Sequence, residues 1–274
     1  MKSLTLARKT LVTDRPAFVM GIVNATPDSF WQESRGSVER ALRLIDEGAD
    51  IIDLGGESTR PGSDYVDDKE EIRRVVPVIQ EIRRHSDIPI SVDTRKKTVM
   101  QAAVDAGADM LNDVSALEDD AALGGFAAEA GIAVVLMHKR GKPSVMQHDT
   151  FYRDVFAEVD ACLAERVSYA RSCGIDARRI ILDPGIGFGK DRKSNVTLIR
   201  RCGSLCGGVY PILMALSRKT IIGDITGREV KERLAGTLAA NLLSVLHGAS
   251  LLRVHDVKET VDAMAVLSEI GYNE

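Results

Sequence analysis

Short apolar runs alternate with longer amphipathic stretches along the whole of this 274-residue chain. Apolar runs of about four to eight residues are typical of buried strands, and longer stretches with one apolar stripe are typical of helices. We predict strands at 17–23, 50–54, 88–92, 108–112, 132–137, 179–183, 211–216 and 249–254. We predict helices at 37–47, 68–84, 96–105, 119–129, 152–172, 195–202, 229–246 and 257–270.

This strict alternation of strand and helix predicts parallel strands. Eight parallel strands that close into a ring leave no exposed sheet edge, so we expect an α/β fold, a (β/α)8 TIM barrel in a single domain over 1–274. A doubly wound open sheet is the competing fold. A faint repeat favours closure, since Gly48-Ala49, Gly107-Ala108 and Gly248-Ala249 each precede an apolar run. Within 1–15, weak alternation over 3–12 predicts a hairpin at the barrel floor.

Composition narrows the classes of function. Apolar residues make up 45% of the chain, charged residues 28%, and the net charge is −4, so we expect neither a disordered chain nor a nucleic-acid partner. No apolar run approaches the roughly 18 residues of a membrane span, and the first 13 residues lack the apolar region of a secretion signal. The four cysteines show no zinc spacing, which favours reduced thiols and a cytoplasmic enzyme.

Polar residues stand at or just after nearly every predicted strand end. In a barrel such residues point into the mouth that holds the active site. A single strand-end Asp is more simply a helix cap, but caps do not require Asn, His, Lys and Arg as well. The set consists of Asn24, Asp53, Asp93, Asn112, Asp113, His138, Asp183, Lys219, Arg253 and His255.

The set divides by charge. The acids Asp53, Asp93 and Asp183, with Asn112, suit a flat ligand that presents adjacent N–H donors. The last two strands contribute Lys219, Arg253 and His255, and barrels often hold phosphate at this place, so we expect these residues to bind a diphosphate. The alternative for Lys219 and Arg253 is an ion pair with acids at the rim, such as Asp224 or Asp256.

Three further predictions concern loops and strand ends. The glycine-rich turn 183–190 lets backbone approach a ligand, and its Phe188 would cover an aromatic ring, whereas Lys190 is expected to be exposed. The amide oxygen of Asn24 suits Mg²⁺ that also binds phosphate oxygens and water, although a capped proline turn explains this segment as well. His138 is interpreted as a hydrogen-bonded strand-end residue rather than a base.

The motifs, in their order, resemble the dihydropteroate synthase family of pterin-binding barrels. The resemblance runs from about residue 16 to the end and implies that the amine of p-aminobenzoate displaces diphosphate from (7,8-dihydropterin-6-yl)methyl diphosphate. The sequence departs from the family pattern at 31–34, before the first helix, and at Thr220, where the family commonly has serine. The resembling stretches are 20–30, 55–62, 91–94, 112–114, 137–138, 183–190, 217–219 and 253–257.

The resemblance also implies roles for individual residues. Asp93, Asn112 and Asp183 would hold the pterin edge, with Lys219 against the ring. Arg253, His255 and Asn24 would hold the diphosphate, with Asn24 also contacting Mg²⁺. A loop with Thr59, Arg60 and Pro61 would help to form the aminobenzoate site, beside Phe188 and Thr220. Of these, the resemblance implies catalytic roles for Lys219, Asp93, Arg253 and His255.

Membership of that family would make the protein a transferase of folate synthesis, a sulfonamide target and a homodimer. Two alternatives share the barrel and the pterin-facing acids: a pterin-binding methyltransferase that uses methyltetrahydrofolate, and a catalytically silent paralogue. The trio Lys219, Arg253 and His255 speaks against the methyltransferase, whose substrate has no diphosphate. The intact set of polar strand ends speaks against the silent paralogue.

Overall fold

The computed structural model describes residues 2–25, 32–57, 66–141 and 149–271. Ten strands and nine α-helices lie within these ranges. The strands are β1 Lys2–Thr5, β2 Thr10–Thr13, β3 Phe18–Asn24, β4 Ile51–Gly55, β5 Ile90–Asp93, β6 Met110–Asp113, β7 Ala133–Met137, β8 Ile180–Asp183, β9 Leu213–Met214 and β10 Leu251–Val254. The helices are α1 Gln32–Asp46, α2 Asp68–His85, α3 Lys97–Ala106, α4 Leu123–Ala130, α5 Val155–Ser172, α6 Arg192–Arg201, α7 Thr220–Thr226, α8 Leu234–Leu246 and α9 Val257–Gly271.

Strands β3 to β10 form one parallel sheet that closes on itself. Its order is β8-β7-β6-β5-β4-β3-β10-β9, and every pair is parallel. The two ends of this order meet where Leu182 of β8 pairs with Ile212, just before β9, and the amide of Leu182 donates to the carbonyl of Pro211 at 2.9 Å. The predicted (β/α)8 barrel is therefore confirmed, and the open sheet is excluded.

The interior of the barrel is filled by apolar side chains at the N-terminal ends of the strands. The antiparallel pair β1–β2 lies against this end and adds Leu4 and Leu6, which are 3% and 2% exposed. The N-terminal end is thereby covered, and the C-terminal end is left for polar groups. The strand residues of this cluster are Phe18, Met20, Ile51, Met110, Ala133, Val135, Ile181, Leu213 and Leu251, and Ala215 directly follows β9.

Two predicted helices differ from the observed ones. The helix predicted at 119–129 begins only at Leu123, because the buried carboxylate of Asp113 accepts the amides of Ser115 and Leu117, both at 2.7 Å, and draws the chain into a turn. The helix predicted at 229–246 begins only at Leu234, and a separate short helix that was not predicted, α7, precedes it and ends at Thr226, before Gly227 with φ +70°. No helix in the described ranges is long and apolar enough to cross a membrane.

Candidate active site

The pairing register brings polar side chains together at the C-terminal mouth of the barrel. Asp93 pairs with Gly55 on one side and with Asn112 on the other, and Asp183 pairs with Met137. Asp93, Asn112 and Asp183 are only 6%, 4% and 4% exposed. Burying these groups is costly unless each finds a charged or hydrogen-bonding partner.

Arg253 of β10 supplies the central partner. Its guanidinium donates to Asp53 at 2.6 Å and to Asp93 at 2.9 Å, and the side-chain amide of Asn112 lies 3.3 Å from both carboxylate oxygens of Asp53. Acids and a base that the sequence analysis assigned to different halves of the ligand are therefore in contact. Arg253 does form ion pairs, but with the acids of the mouth, whereas the rim acid Asp256 is paired with Arg218.

Burial shifts the protonation of this cluster. Burial raises the pKa of Asp93 to about 7, although Arg253 opposes the shift. Burial also raises the pKa of Asp183, with Lys219 opposing it. For Arg253, burial disfavours the charge, but Asp53 and Asp93 outweigh it and raise the pKa. The guanidinium therefore stays charged, and the pKa of the Asp93 carboxyl is held well above that of an exposed aspartate.

Lys219 lies above the glycine-rich turn that follows β8. Its ammonium donates to the carbonyl of Ile186 at 2.6 Å and lies 4.8 Å from the centre of the Phe188 ring. Burial lowers the pKa of Lys219 to about 8, and Asp183 opposes this shift. The carboxylate of Asp183 accepts the amide of Gly185 at 2.7 Å, which ties the start of the turn to the strand end. Lys219, Phe188 and Asp183 thus belong to one site.

His255 is a neutral member of the cationic side. Burial, together with the charge of Arg253, lowers its pKa to about 4. Its Nδ1 lies 3.0 Å from the hydroxyl of Ser217, and Arg40 of α1 donates to its carbonyl at 2.6 Å. The expected cationic trio is therefore corrected to two cations, Lys219 and Arg253, and a neutral imidazole, which still offers an N–H to an anion.

The structure overturns one prediction about the turn. Lys190, expected to be exposed, is only 3% exposed, and its ammonium lies 2.8 Å from Nδ1 of His138. Burial lowers the pKa of His138 to about 3, with Lys190 adding to the shift. His138 is therefore a neutral acceptor, which confirms its interpretation as a hydrogen-bonded strand-end residue. Sequence reasoning missed Lys190 because a lysine after a glycine run looks like a loop charge.

Asn24 ends β3 at the mouth, and its side chain is exposed. Within the described ranges no group of three His, Cys, Asp or Glu side chains is arranged to hold a metal ion. A neutral amide oxygen at the mouth fits Mg²⁺, which prefers oxygen ligands and keeps several waters. Such an ion would take its other ligands from water and from substrate oxygens.

Thr59, Arg60 and Pro61 lie outside the described residues, but the two ends of their loop are described. The amide of Val66 donates to Glu57 at 2.7 Å, and Lys96 bridges Glu57 at 3.0 Å and Glu71 at 2.7 Å. Lys96 also donates to the carbonyl of Val66. This cluster was missed in the sequence, because its members stand in separate segments, after β4, in and before α2 and before α3, and none ends a strand. Thr220 begins α7 next to Lys219, with an exposed side chain.

The fold and the site define a class, the barrel enzymes that bind a polar ring and an anion at the C-terminal mouth. Residues 20–255 match the family model of pterin binding enzymes, so the chain belongs to that family. It is 44% identical over 271 residues to the dihydropteroate synthase of Neisseria meningitidis serogroup B. This alignment covers 95% of this chain and 94% of that protein.

Solved structures agree with this assignment. The dihydropteroate synthase of Xanthomonas albilineans with 4-aminobenzoic acid has a TM-score of 0.92 and 46% identity, covering 99% of both chains. That of Yersinia pestis in a sulfonamide drug complex has a TM-score of 0.93 and 36% identity, covering 100% of both chains.

Proposed function

We propose that this chain is a dihydropteroate synthase, a transferase that joins the pterinylmethyl group of (7,8-dihydropterin-6-yl)methyl diphosphate to p-aminobenzoate and releases diphosphate. The observation that carries the proposal is the meeting of buried acids with two cations at one barrel mouth. Asp93 contacts Arg253 at 2.9 Å, and Asp183 shares its strand end with the turn that holds Lys219. A ring with N–H donors and a departing anion needs both kinds of group in one place.

The acids bind the pterin half of the substrate. Asp93, Asn112 and Asp183 accept hydrogen bonds from the N–H edge of the ring, and the ammonium of Lys219 lies against it. The pKa of Asp93 near 7 means that a cationic or N–H-rich edge readily draws it into the carboxylate form. That carboxylate then stabilises the positive charge that develops on the methylene group as the diphosphate leaves.

Arg253, His255 and Asn24 bind the diphosphate half. Arg253 already contacts Asp53 and Asp93, so one guanidinium links the carboxylates to the leaving group. Mg²⁺, with Asn24 among its ligands, would neutralise charge on the departing diphosphate. No side chain has to activate the nucleophile, because an aromatic amine is already neutral near pH 7.

The aminobenzoate site is completed by the loop with Thr59, Arg60 and Pro61, and by Phe188 and Thr220. The described ends of that loop are held by the cluster of Glu57 and Lys96. A sulfonamide resembles the aminobenzoate ring, and the Yersinia pestis relative forms a sulfonamide complex. We therefore include sulfonamide binding in the proposal.

Helix α8 supports a homodimer. It buries Asn241 and Ser244 at 1% and 0% exposure, whereas Leu243 and Leu246 are 52% and 53% exposed. On the next helix, α9, Ile270 is 76% exposed. We infer from this inverted pattern that a second copy covers this face. A sedimentation mass equal to one chain would contradict this part of the proposal.

We place the enzyme in the cytoplasm and assign it no nucleic-acid partner. Cys162, Cys173, Cys202 and Cys206 are all free thiols, as expected in a reducing compartment. Recovery of the native protein with a membrane or secreted fraction of its host would contradict this placement.

An assay of diphosphate release tests the main proposal. We expect release that requires the pterin diphosphate, p-aminobenzoate and Mg²⁺ together, with none when any one is omitted. Methyl transfer from methyltetrahydrofolate would support the methyltransferase instead. Pterin binding without turnover under any of these conditions would support the silent paralogue.

A further inference from the structure

The glycine-rich turn after β8 has an irregular backbone. Gly185, Gly187 and Gly189 have φ angles of +69°, +86° and +64°, a region that glycine adopts freely. Such a segment keeps one conformation only if its surroundings fix it. Yet the turn presents the Ile186 carbonyl and the Phe188 ring to Lys219. The position of Lys219 therefore depends on what holds the turn.

The ammonium of Lys190 is bonded to the backbone of the turn. It donates to the carbonyls of Gly185 and Phe188, both at 3.0 Å, and lies 2.8 Å from Nδ1 of His138. These acceptors are neutral, and burial lowers the pKa of Lys190 to about 7, with Asp183 opposing the shift, so the charge is costly to keep at this place. The two carbonyls flank Ile186, whose own carbonyl points to Lys219. A single cation thus fixes the residues on both sides of the Lys219 contact.

Neighbouring groups make the arrangement stiff. Asn195 of α6 accepts the amide of Gly187 at 2.9 Å and donates to the carbonyl of Lys190 at 3.1 Å. The hydroxyl of Tyr152 donates to the carbonyl of Gly189 at 3.1 Å. A methyl group on Gly185 would overlap the carbonyl oxygen of His138. The turn therefore fits tightly between the end of β7 and α6.

We propose that Lys190 is a positioning residue, which fixes the glycine-rich turn and, through the Ile186 carbonyl and the Phe188 ring, sets the place of Lys219 in the site. This inference rests on the proposed function. Lys190 itself is only 3% exposed, and its ammonium is bonded to the backbone of the turn and to His138, so it acts through Lys219 and not on the substrate.

The test is Lys190→Met, which keeps the length of the side chain and removes the ammonium. The matched control is Lys193→Met, the same substitution at an exposed residue of α6. We expect Lys190→Met to lower kcat/KM at least tenfold, mainly by raising KM for the pterin substrate, because a displaced ammonium of Lys219 no longer lies against the pterin ring. Lys193→Met should match the wild type within twofold. A role in stability alone would reduce the active fraction, lowering kcat and leaving KM unchanged.

A double-mutant cycle with Lys219→Ala sharpens the test. If Lys190 acts through Lys219, adding Lys190→Met to Lys219→Ala should lower kcat/KM less than twofold further. A full tenfold further loss would overturn the proposal, and so would wild-type kinetics for Lys190→Met. If Lys190→Met does not fold, Asn195→Ala, which removes the second support of the turn, takes its place with the same expectations. Absence of diphosphate release in the wild type would instead refute the proposed function.

Discussion

The floor and the mouth of the barrel are built from the same strands but carry opposite kinds of side chain. At the floor, Phe18, Ile51 and Met110 begin β3, β4 and β6 and are fully buried among apolar neighbours. At the mouth, Asp53 lies two residues beyond Ile51 and Asn112 two residues beyond Met110. Because side chains alternate along a strand, these pairs face the same interior. Residues that stabilise the fold and residues of the candidate site therefore lie only two positions apart on the same strand.

The mouth retains its charges at a cost that the floor does not bear. Burial raises the pKa of Asp93 and Asp183 and lowers that of Lys219, so the charged form of each group is less stable here than in water. Arg253 offsets part of this cost through Asp53 and Asp93. Because a buried ion pair often contributes little net stability, we interpret the pairs of Arg253 as part of the site and not as a means of stabilising the fold.

The largest expected effect is on stability and comes from the floor. Met110→Ala should lower the free energy of unfolding by about 2–5 kcal/mol, because it leaves a cavity in a fully buried cluster. Denaturant unfolding measures this loss. The kcat/KM of the folded fraction should stay within about twofold of wild type.

Met110→Leu is the control, since it preserves volume and should cost less than about 1.5 kcal/mol. A large loss of kcat/KM in folded Met110→Ala would show that the two ends of the barrel are not independent.

The next effect is on activity and comes from the mouth. Lys219→Ala and Arg253→Ala should each lower kcat/KM at least tenfold, since each removes a charge-assisted contact of roughly 1.5 kcal/mol or more. Steady-state kinetics of the folded fraction measure the loss. The unfolding curve of Lys219→Ala should move far less than that of Met110→Ala, whereas Arg253→Ala should also be destabilised, because it leaves Asp53 and Asp93 buried without their partner. Near-normal rates for both variants would remove these residues from the site.

The same contrast decides what could be predicted from the sequence. The fold and its apolar floor follow from the pattern of apolar runs alone, because strands such as 132–137 and 179–183 contain unbroken apolar runs in the sequence. The strand-end position of Asp93, Asn112 and Arg253 follows from the same pattern. Their contacts do not, because Arg253 reaches Asp53 and Asp93 across strands that lie 200 and 160 residues apart in the chain.

Burial of charge is the part that the sequence hid. Lys190 and Lys193 look alike in a polar segment, yet Lys190 lies beneath the turn and Lys193 faces solvent. The ammonium of Lys190 finds a partner in His138, which follows β7 and lies 52 positions earlier in the chain. The same holds for His255, whose neutral state depends on burial and on the charge of Arg253. Residue type alone gives neither result.

Near the optimum, the smallest expected effect is the pH dependence of the mouth. Asp93 must be ionised to hold the pterin edge, and its pKa is raised by burial to about 7, so kcat/KM should fall as pH drops below that value. Lys219 must be protonated, and its pKa is lowered by burial to about 8, so kcat/KM should also fall as pH rises above that value. A narrow bell-shaped profile follows, falling about tenfold per pH unit on each side. Its two apparent pKa values belong to the coupled site.

Two variants assign the limbs of this profile. Asp93→Asn has no proton to lose and should remove the acid limb at a lower maximum rate. Lys219→Arg keeps its charge above pH 12 and should remove the basic limb. The diphosphate substrate, Lys190 and Asp183 titrate as well, because burial lowers the pKa of Lys190 to about 7 and raises that of Asp183, so a limb that persists in both variants belongs to one of these groups. If wild-type kcat/KM stayed constant from about pH 6 to 9, the contrast between an uncharged floor and a titrating mouth would fail, because protonation of Asp93 and Lys219 would then not matter to the reaction.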